Sequence, residues 1–514
     1  MCETQAKRRV GTLETMQTTP NVSTVIDFNL EAGRGDKTAA ITANDEEWTF
    51  ADLHGATSRV AAHLVDAGVR RGELVLLVLD DTPVFPAAFL GAMRMGAVPI
   101  PVNFLARPDD FGYFMDDSYA VAAIFDSVFA ETLGSQLKAR PQVRSIGGEV
   151  LNTWMMQGVD EFDPVDTHPD DPAFWLYSSG STGLPKAVVH RHANFGATAR
   201  HYAWPTLGIS EEDVVFSSTK MFHAYGLGNN LTFPLSVGAT SVYLTGRPTP
   251  EALLERVATH RPSLYFSVPA LYNAVLSLPE FDDVDWSSVR LGISAAEPLP
   301  PETWRRFQER TGVEILDGLG STEMLHIYCT NSVGQAKPGT SGGPVDGYET
   351  EIRDPDGRLI EDDEAGELWV KGPSALTGYW HQVERTKAKV VGEWFASGDR
   401  YHRDGDGYLV YEGRVDDMMK VGGLWVSPIE IENRLMEHPA VSEAAVVRID
   451  VETDSRIKAF VIVNEAAEEP ETSELQEWCK ETLLRYQYPH VVEFVDDFPR
   501  TATGKIQRFK LRTD

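Results

Sequence analysis

LVLLVLDDTPVFPAAFLGAMRMGAV, residues 74–98, is the stretch that decides the architecture. Its opening LVLLVLD is an apolar run of strand length, and the segment from Pro83 onward starts with turn chemistry and continues for the length of a helix. The alternation recurs further along the chain. AVAAIFD (120–126) is followed by the helical FAETLGSQLKAR (129–140). After Asp213, VVFSS (214–218) and SVYLT (241–245) read as strands, Pro250 opens the helix EALLERVATH, and SLYFSV (263–268) begins the next strand. Strands alternating with helices are the signature of parallel sheets with crossover connections, so the large N-terminal part is predicted to be α/β.

From about Tyr348 the texture changes. YETEIRD (348–354), the turn Pro355-Asp356-Gly357 and GELWVKG (366–372) predict a smaller β-rich subregion. Beyond EGRVDD (412–417) it changes again: Ser427-Pro428-Ile429-Glu430 reads as a capping box with proline at the first helical position, opening a helix toward His438. Strands AAVVRI (444–449) and AFVIVNE (459–465), the helix ELQEWCKETLLRY (474–486) and strand VVEFV (491–495) complete an α+β unit of about 100 residues, an ordinary size for a small domain. The expected division is an N-terminal domain over 1–413 and a mobile C-terminal domain over 414–514, joined by a short hinge near Asp416. A chain of 514 residues exceeds what one core usually organises, which agrees with two domains.

The hydrophobic fraction of 42% argues for a folded chain. Cys2, Cys329 and Cys479 are far apart, suggesting neither a disulfide framework nor a zinc site, and a reducing, cytoplasmic compartment fits. The most apolar run, AAFLGAMRMGAVPIPV, is broken by Arg94 and two prolines, so no membrane span is expected. The opening residues carry Lys7, Arg8 and Arg9 and then turn polar, which reads as a ragged tail rather than a secretory signal. A net charge of −31 opposes nucleic-acid binding, because a phosphate backbone would be repelled over most of the surface. Only 14 of the 46 basic residues are lysines. Such a surface suits a protein soluble at high salt, and an ordinary acidic protein is equally compatible with it.

The densest chemistry lies in Tyr177-Ser178-Ser179-Gly180-Ser181-Thr182-Gly183-Leu184-Pro185-Lys186, directly after the apolar AFWL. Glycines let a backbone approach a polyphosphate closely, hydroxyls and amides donate to its oxygens, and a lysine supplies countercharge. The spacing is not that of the P-loop NTPases, since GxxxxGK[ST] is absent. Taken alone, the segment also describes an ordinary Ser/Gly surface turn.

Joined in order by DGLGSTE (317–323), SGDR (397–400), GRVDD (413–417) and RTATGK (500–505), this loop resembles the adenylate-forming superfamily of acyl-CoA synthetases, luciferases and peptide-synthetase adenylation domains. The resemblance spans nearly the whole chain. KMFHAYGLGNNLTFPLSVGAT (220–240) and ILDGLGSTEMLHIYCTN (315–331) are similar to the benzoate-CoA ligase branch.

The resemblance implies ATP-dependent ligation of an aromatic acid, benzoate or a substituted benzoate, to coenzyme A through an acyl-adenylate. It makes the N-terminal domain the ATP- and acyl-binding one. Ser178, Ser179, Gly180, Ser181, Thr182, Gly183 and Lys186 would hold ATP, with Thr182 and Lys186 on its phosphates. Glu323 would hold Mg²⁺ there, a single carboxylate sufficing beside phosphate oxygens. Thr322 would reach the α-phosphate. Asp399 resembles the ribose ligand, assisted by Arg414. Ser294, Ala295, Ala296 and Glu297, with the Asp317-Gly318 turn, correspond to the adenine walls. Lys505 corresponds to a mobile catalytic lysine that enters for adenylation.

The acyl pocket would be lined by His223, Ala224, Tyr225, Gly226, Gly318, Gly320 and His326, small residues leaving room for a flat ring and Tyr225 packing against it. At His223 the benzoate ligases more often carry an aromatic residue. That departure leaves the ring substituent open, since a polar group there can answer a hydroxyl or an amino group. Gly422 and Gly423 would line a tunnel for coenzyme A once the domain swings about Asp416. A homodimer stays open, as do two rival functions: loading an aryl acid onto a separate carrier protein, and a non-catalytic nucleotide-binding regulator.

Overall fold

The structure is a computed structural model that describes residues 21–178, 184–360, 364–415, 418–421, 424–451, 454–464, 467–484, 486–500 and 506–512. The decisive stretch forms the strand Leu74–Val78 and the helix Val84–Arg94. The strand is central in a four-stranded parallel sheet, between Val98–Pro101 and Ala122–Phe125, with Arg144–Gly147 beyond. Being covered on both faces, it is apolar throughout rather than alternating. Helix Val84–Arg94 is buried over nearly all of its length against helix Phe50–Asp66. At Gly91 an added Cβ would lie 2.9 Å from the Thr57 carbonyl and 3.0 Å from Val60, so only glycine permits this close crossing.

A second, nine-stranded sheet carries the later strands. Six of them, Ile315–Gly320, Leu291–Ser294, Leu264–Ser267, Val214–Ser217, Thr240–Val242 and Thr38–Ile41, pair in parallel in that order. Antiparallel strands finish both edges: Ile327–Thr330 and Gly343–Pro344 at one, Glu47–Thr49 at the other. The α/β expectation therefore holds for the interior of the sheet. Loops leaving the carboxyl ends of parallel strands are where ligands usually bind. Here they carry residues 218–226, 295–298 and 321–326.

The strands Pro172–Ser178 and Lys186–Arg191 pair antiparallel with Ser178 opposite Lys186, so the two described ends of the Ser/Gly segment lie side by side. The β-rich subregion is a five-stranded antiparallel sheet, and its last strand, Leu409–Arg414, pairs with Trp394–Arg403. That ladder continues through Arg414. The C-terminal unit packs helices Pro428–Met436 and Thr472–Lys480 with strands Val441–Val451, Asp454–Val463 and Val491–Phe494.

Two local expectations fail. Ser427 does precede the helix, but its hydroxyl donates to the Glu412 carbonyl at 2.6 Å, while Glu430 accepts from Gln487 at 2.5 Å. Tertiary partners have displaced the reciprocal cap. The second helix stops at Lys480 rather than Tyr486: beyond it the Thr482 N–H bonds only three residues back, to the Cys479 carbonyl at 3.4 Å, and the Leu484 N–H turns to the Gln487 side chain at 3.1 Å. Among the described residues, no helix is long and apolar enough to cross a membrane.

Candidate functional site

Three side chains from separate elements meet at the start of strand Lys186–Arg191. Lys186, the first residue of its strand, places its ammonium 2.8 Å from Glu323 Oε1. The Tyr379 hydroxyl donates to the same oxygen at 2.9 Å, and the Lys186 ammonium lies 4.5 Å from the centre of the tyrosine ring. Burial on its own would raise the Glu323 carboxyl, yet the Lys186 charge and these two hydrogen bonds hold it below its ordinary value. It is thus an ionised carboxylate with one oxygen committed. Because both partners are largely buried, removing one would strand the other at a cost of about 3–5 kcal/mol.

The turn carrying Thr322 and Glu323 is pinned from below. His190, fully buried, bonds the Thr322 carbonyl through Nε2 at 2.8 Å and takes an N–H from Asn194 at Nδ1 at 3.0 Å. Burial lowers this imidazole to about 4, so it is neutral and its Nε2 carries the proton. The Leu376 N–H donates to the Glu323 carbonyl at 2.8 Å, closing the turn from the other side.

Asp399 and Arg414 are direct register partners on adjacent strands, and Arg414 Nη1 donates to Asp399 Oδ1 at 3.0 Å. Gly398 has φ +80°, and a Cβ there would meet Arg414 Nη2 at 2.9 Å, so a glycine is required for this pair to form.

At the ends of the parallel strands, Asp317 is buried and accepts the Leu299 N–H at 3.2 Å. Burial pushes it up to about 8, leaving it a neutral acid at pH 7. The buried Ser294 hydroxyl has no hydrogen-bond partner among the described residues, and neither does that of Ser178. Ala295 is buried, and Ala296 adopts φ +80°, a strained conformation of the kind that collects at ligand sites. Glu297 lines a cavity whose other wall carries Glu443, Arg500 and Arg508 of the C-terminal unit.

Of the expected acyl residues, Tyr225, Gly320 and His326 lie against one another. His223 caps the short helix Ala224–Leu227, and its ring lies 4.2 Å from that of Phe222. Tyr225 donates to the Ile293 carbonyl at 3.2 Å and stands 5.3 Å from the His326 ring. His326, 2% exposed, is lowered by burial to about 3, and its Nε2 faces both the Tyr225 carbonyl at 3.2 Å and Asn229 Oδ1 at 3.1 Å. The glycines are small for a reason the sequence alone did not reveal. Their missing Cβ atoms point at protein: Gly226 at the Lys220 carbonyl (2.2 Å), Gly318 at Ile327 (2.5 Å) and Gly320 at the His326 carbonyl (2.7 Å). Close backbone approach claims the space in these directions.

Ser179, Gly180, Ser181, Thr182, Gly183, Asp416, Gly422, Gly423 and Lys505 lie outside the described residues. The structure brings together Lys186 with Glu323, Asp399 with Arg414, and Tyr225 with His326.

A family described as AMP-binding enzyme matches residues 29–380, and its C-terminal domain family matches residues 430–505. The chain belongs to the AMP-binding enzyme family. A benzoate–CoA ligase from Thauera aromatica is 45% identical to this AMP-binding enzyme over 500 residues, covering 95% of each chain. Among solved structures, a benzoate CoA ligase from Burkholderia xenovorans superposes with a TM-score of 0.90 at 43% identity, over 96% of this chain and 100% of that one. An anthranilate CoA ligase in complex with anthranoyl-AMP superposes with a TM-score of 0.93 at 35% identity, over 96% of both chains.

Sequence reasoning overlooked four residues that shape the site of this AMP-binding enzyme: Tyr379, His190, Asn194 and Asn229. Tyr379 sits 56 positions after Glu323 in an inconspicuous TGYW. Asn229 falls in GNN, inside a π-helical turn over Gly228–Thr232, an irregularity that often marks functional segments and that no local spacing announces.

Proposed function

We propose that this AMP-binding enzyme converts an aromatic carboxylic acid, benzoate or a substituted benzoate, into its coenzyme A thioester through an acyl-adenylate. The chain is an AMP-forming acid–CoA ligase. The observation that carries the aromatic reading is the similarity to a benzoate–CoA ligase at 45% identity over 95% of both chains.

In the first half-reaction a carboxylate oxygen of the acid attacks the α-phosphorus of ATP, the bond to the β-phosphate oxygen breaks, and pyrophosphate leaves. In the second, the sulfur of coenzyme A attacks the acyl carbon, the bond to the phosphate oxygen breaks, AMP departs, and the thiol proton passes to solvent. Lys186 and the Ser178–Gly183 loop hold the polyphosphate. Thr322 contacts the α-phosphate, Asp399 and Arg414 hold the ribose, and the segment Ser294–Glu297 with Asp317 and Gly318 borders the adenine.

Glu323 suits Mg²⁺: it is ionised and almost buried, and phosphate oxygens would complete the shell beside this single carboxylate. When bound, the ion supplies positive charge that eases approach of one anion to another. Lys505 is the residue that would meet the charge developing between the carboxylate and the α-phosphate. It would withdraw when the C-terminal domain turns about Asp416, letting Gly422 and Gly423 border the path of coenzyme A. Two chemistries in one site call for such a rearrangement.

A panel of benzoates, hydroxybenzoates, aminobenzoates, cinnamates and fatty acids, read by coenzyme A consumption, tests the substrate class. Benzoate-sized acids are expected to give the highest kcat/KM. Palmitate outperforming every aromatic acid would refute the aromatic reading and leave the family intact.

A further inference from the structure

The carboxyl end of strand Leu74–Val78 presents two adjacent carboxylates that the proposed chemistry leaves unused. Asp80 Oδ1 accepts from Lys220 Nζ at 3.0 Å, and the same ammonium donates to the Leu244 carbonyl. Lys220 is 6% exposed, and the other oxygen of the half-buried Asp80 takes the Gly246 N–H at 2.5 Å. The Asp80 N–H in turn donates to Asp126 at 2.8 Å. Asp81, 2% exposed, accepts the Met221 N–H at 3.0 Å and the Asn230 amide at 3.5 Å, and Asn230 also reaches the Thr219 carbonyl at 3.3 Å.

These carboxylates belong to the four-stranded sheet, whereas residues 219–221 follow strand Val214–Ser217 of the nine-stranded one. The network therefore crosses the seam between the two sheets. A buried ion pair is seldom more stabilising than an apolar pair of similar size, and its best-attested use is to fix register. What it registers here is the turn that follows. The Lys220 carbonyl accepts the His223 N–H at 3.0 Å and is the atom that a Cβ on Gly226 would strike. No slack separates the anchor from Ala224 and Tyr225.

We infer that Asp80, Asp81 and Lys220 are positioning residues that fix the acyl-binding turn His223–Gly226 against the smaller sheet, governing capture of the acid and not of the nucleotide. The inference rests on the aryl-acid reading above. Lys220→Met alone leaves the half-buried Asp80 without its cation and should lower the melting temperature. Adding Asp80→Asn removes the carboxylate charge and should restore most of the loss without rebuilding the tie.

In the Lys220→Met/Asp80→Asn protein, KM for benzoate is expected to rise about tenfold, since small misplacements of binding groups are costly. KM for ATP should stay within about twofold of the parent. Asp81→Asn, which keeps shape and one acceptor oxygen, should shift the benzoate KM in the same direction by less. A benzoate KM unchanged in the double variant overturns the inference, as does a parallel rise in both KM values. An unmodified enzyme inert toward every aromatic acid would instead overturn the functional reading, and the inference with it, before any variant is made.

Discussion

One buried imidazole, His190, carries much of the precision at the residue scale. It holds the Thr322 carbonyl at 2.8 Å and so orients the turn that presents Glu323 to Lys186 and Tyr379. Its folded value near 4 lies below the ordinary 6.5 because burial penalises the cation. A depressed value means that the unfolded chain binds the proton more readily. The stabilisation is therefore complete above pH 6.5 and drains away as pH falls toward 4, by about 3 kcal/mol in all. His190→Gln keeps an N–H for Thr322 and removes the titration. Its melting temperature should fall less than that of the parent between pH 7 and pH 4.5; equal falls would show that His190 does not contribute. Lys186, Glu323, Asp399 and Arg414 were legible in the sequence because each sits in a compact motif. Tyr379 and Asn229 were not, because their contacts come from residues 56 and 97 positions away. Gly226, Gly318 and Gly320, expected at the acyl pocket, were legible as small residues but misread as empty space, since only the fold reveals which neighbouring atoms each one admits.

At the scale of elements, continuous apolar runs made the parallel strands easy to find, and the helices between them followed. Leu74–Val78 and Ala122–Phe125 fall inside the runs that announced them. Element ends were harder, because contacts outside the helix repeat set them: the Leu484 N–H turns to the Gln487 side chain past Lys480, and the Ser427 hydroxyl donates to the Glu412 backbone carbonyl instead of capping its helix. The antiparallel edges of the large sheet escaped notice as well, strands of two to four residues being too short to pattern. Under the proposed mechanism, the decisive C-terminal residue is Lys505 in RTATGK. Lys505→Ala should slow acyl-adenylate formation by about 10²- to 10³-fold, the usual effect of losing one donor to a developing charge. Supplied with pre-formed acyl-adenylate, the same variant should make thioester at close to the parent rate. Pyrophosphate release and thioester formation, timed separately, decide the matter: equal slowing of both steps would make the lysine structural and remove the case for domain alternation.

For the whole molecule, the dominant quantity is charge. With 77 acidic against 46 basic residues, the folded chain works against its own repulsion, and salt should relieve it. The melting temperature is expected to climb from low to molar KCl. A flat or falling curve would assign the acidity to ordinary solubility. Composition could pose that alternative but not choose between its branches, since the excess of carboxylates is the same in both.

The most direct measurement follows pyrophosphate, AMP and acyl-CoA together when the enzyme is given benzoate, Mg²⁺ and ATP. With coenzyme A present, all three should accumulate in equal amounts. Without it, pyrophosphate should appear only to about the concentration of enzyme, the adenylate staying bound until a thiol arrives, as expected for a covalent activation split in two steps. Sustained AMP formation with no benzoyl-CoA in the presence of coenzyme A would contradict the assignment of this enzyme as an aromatic acid–CoA ligase.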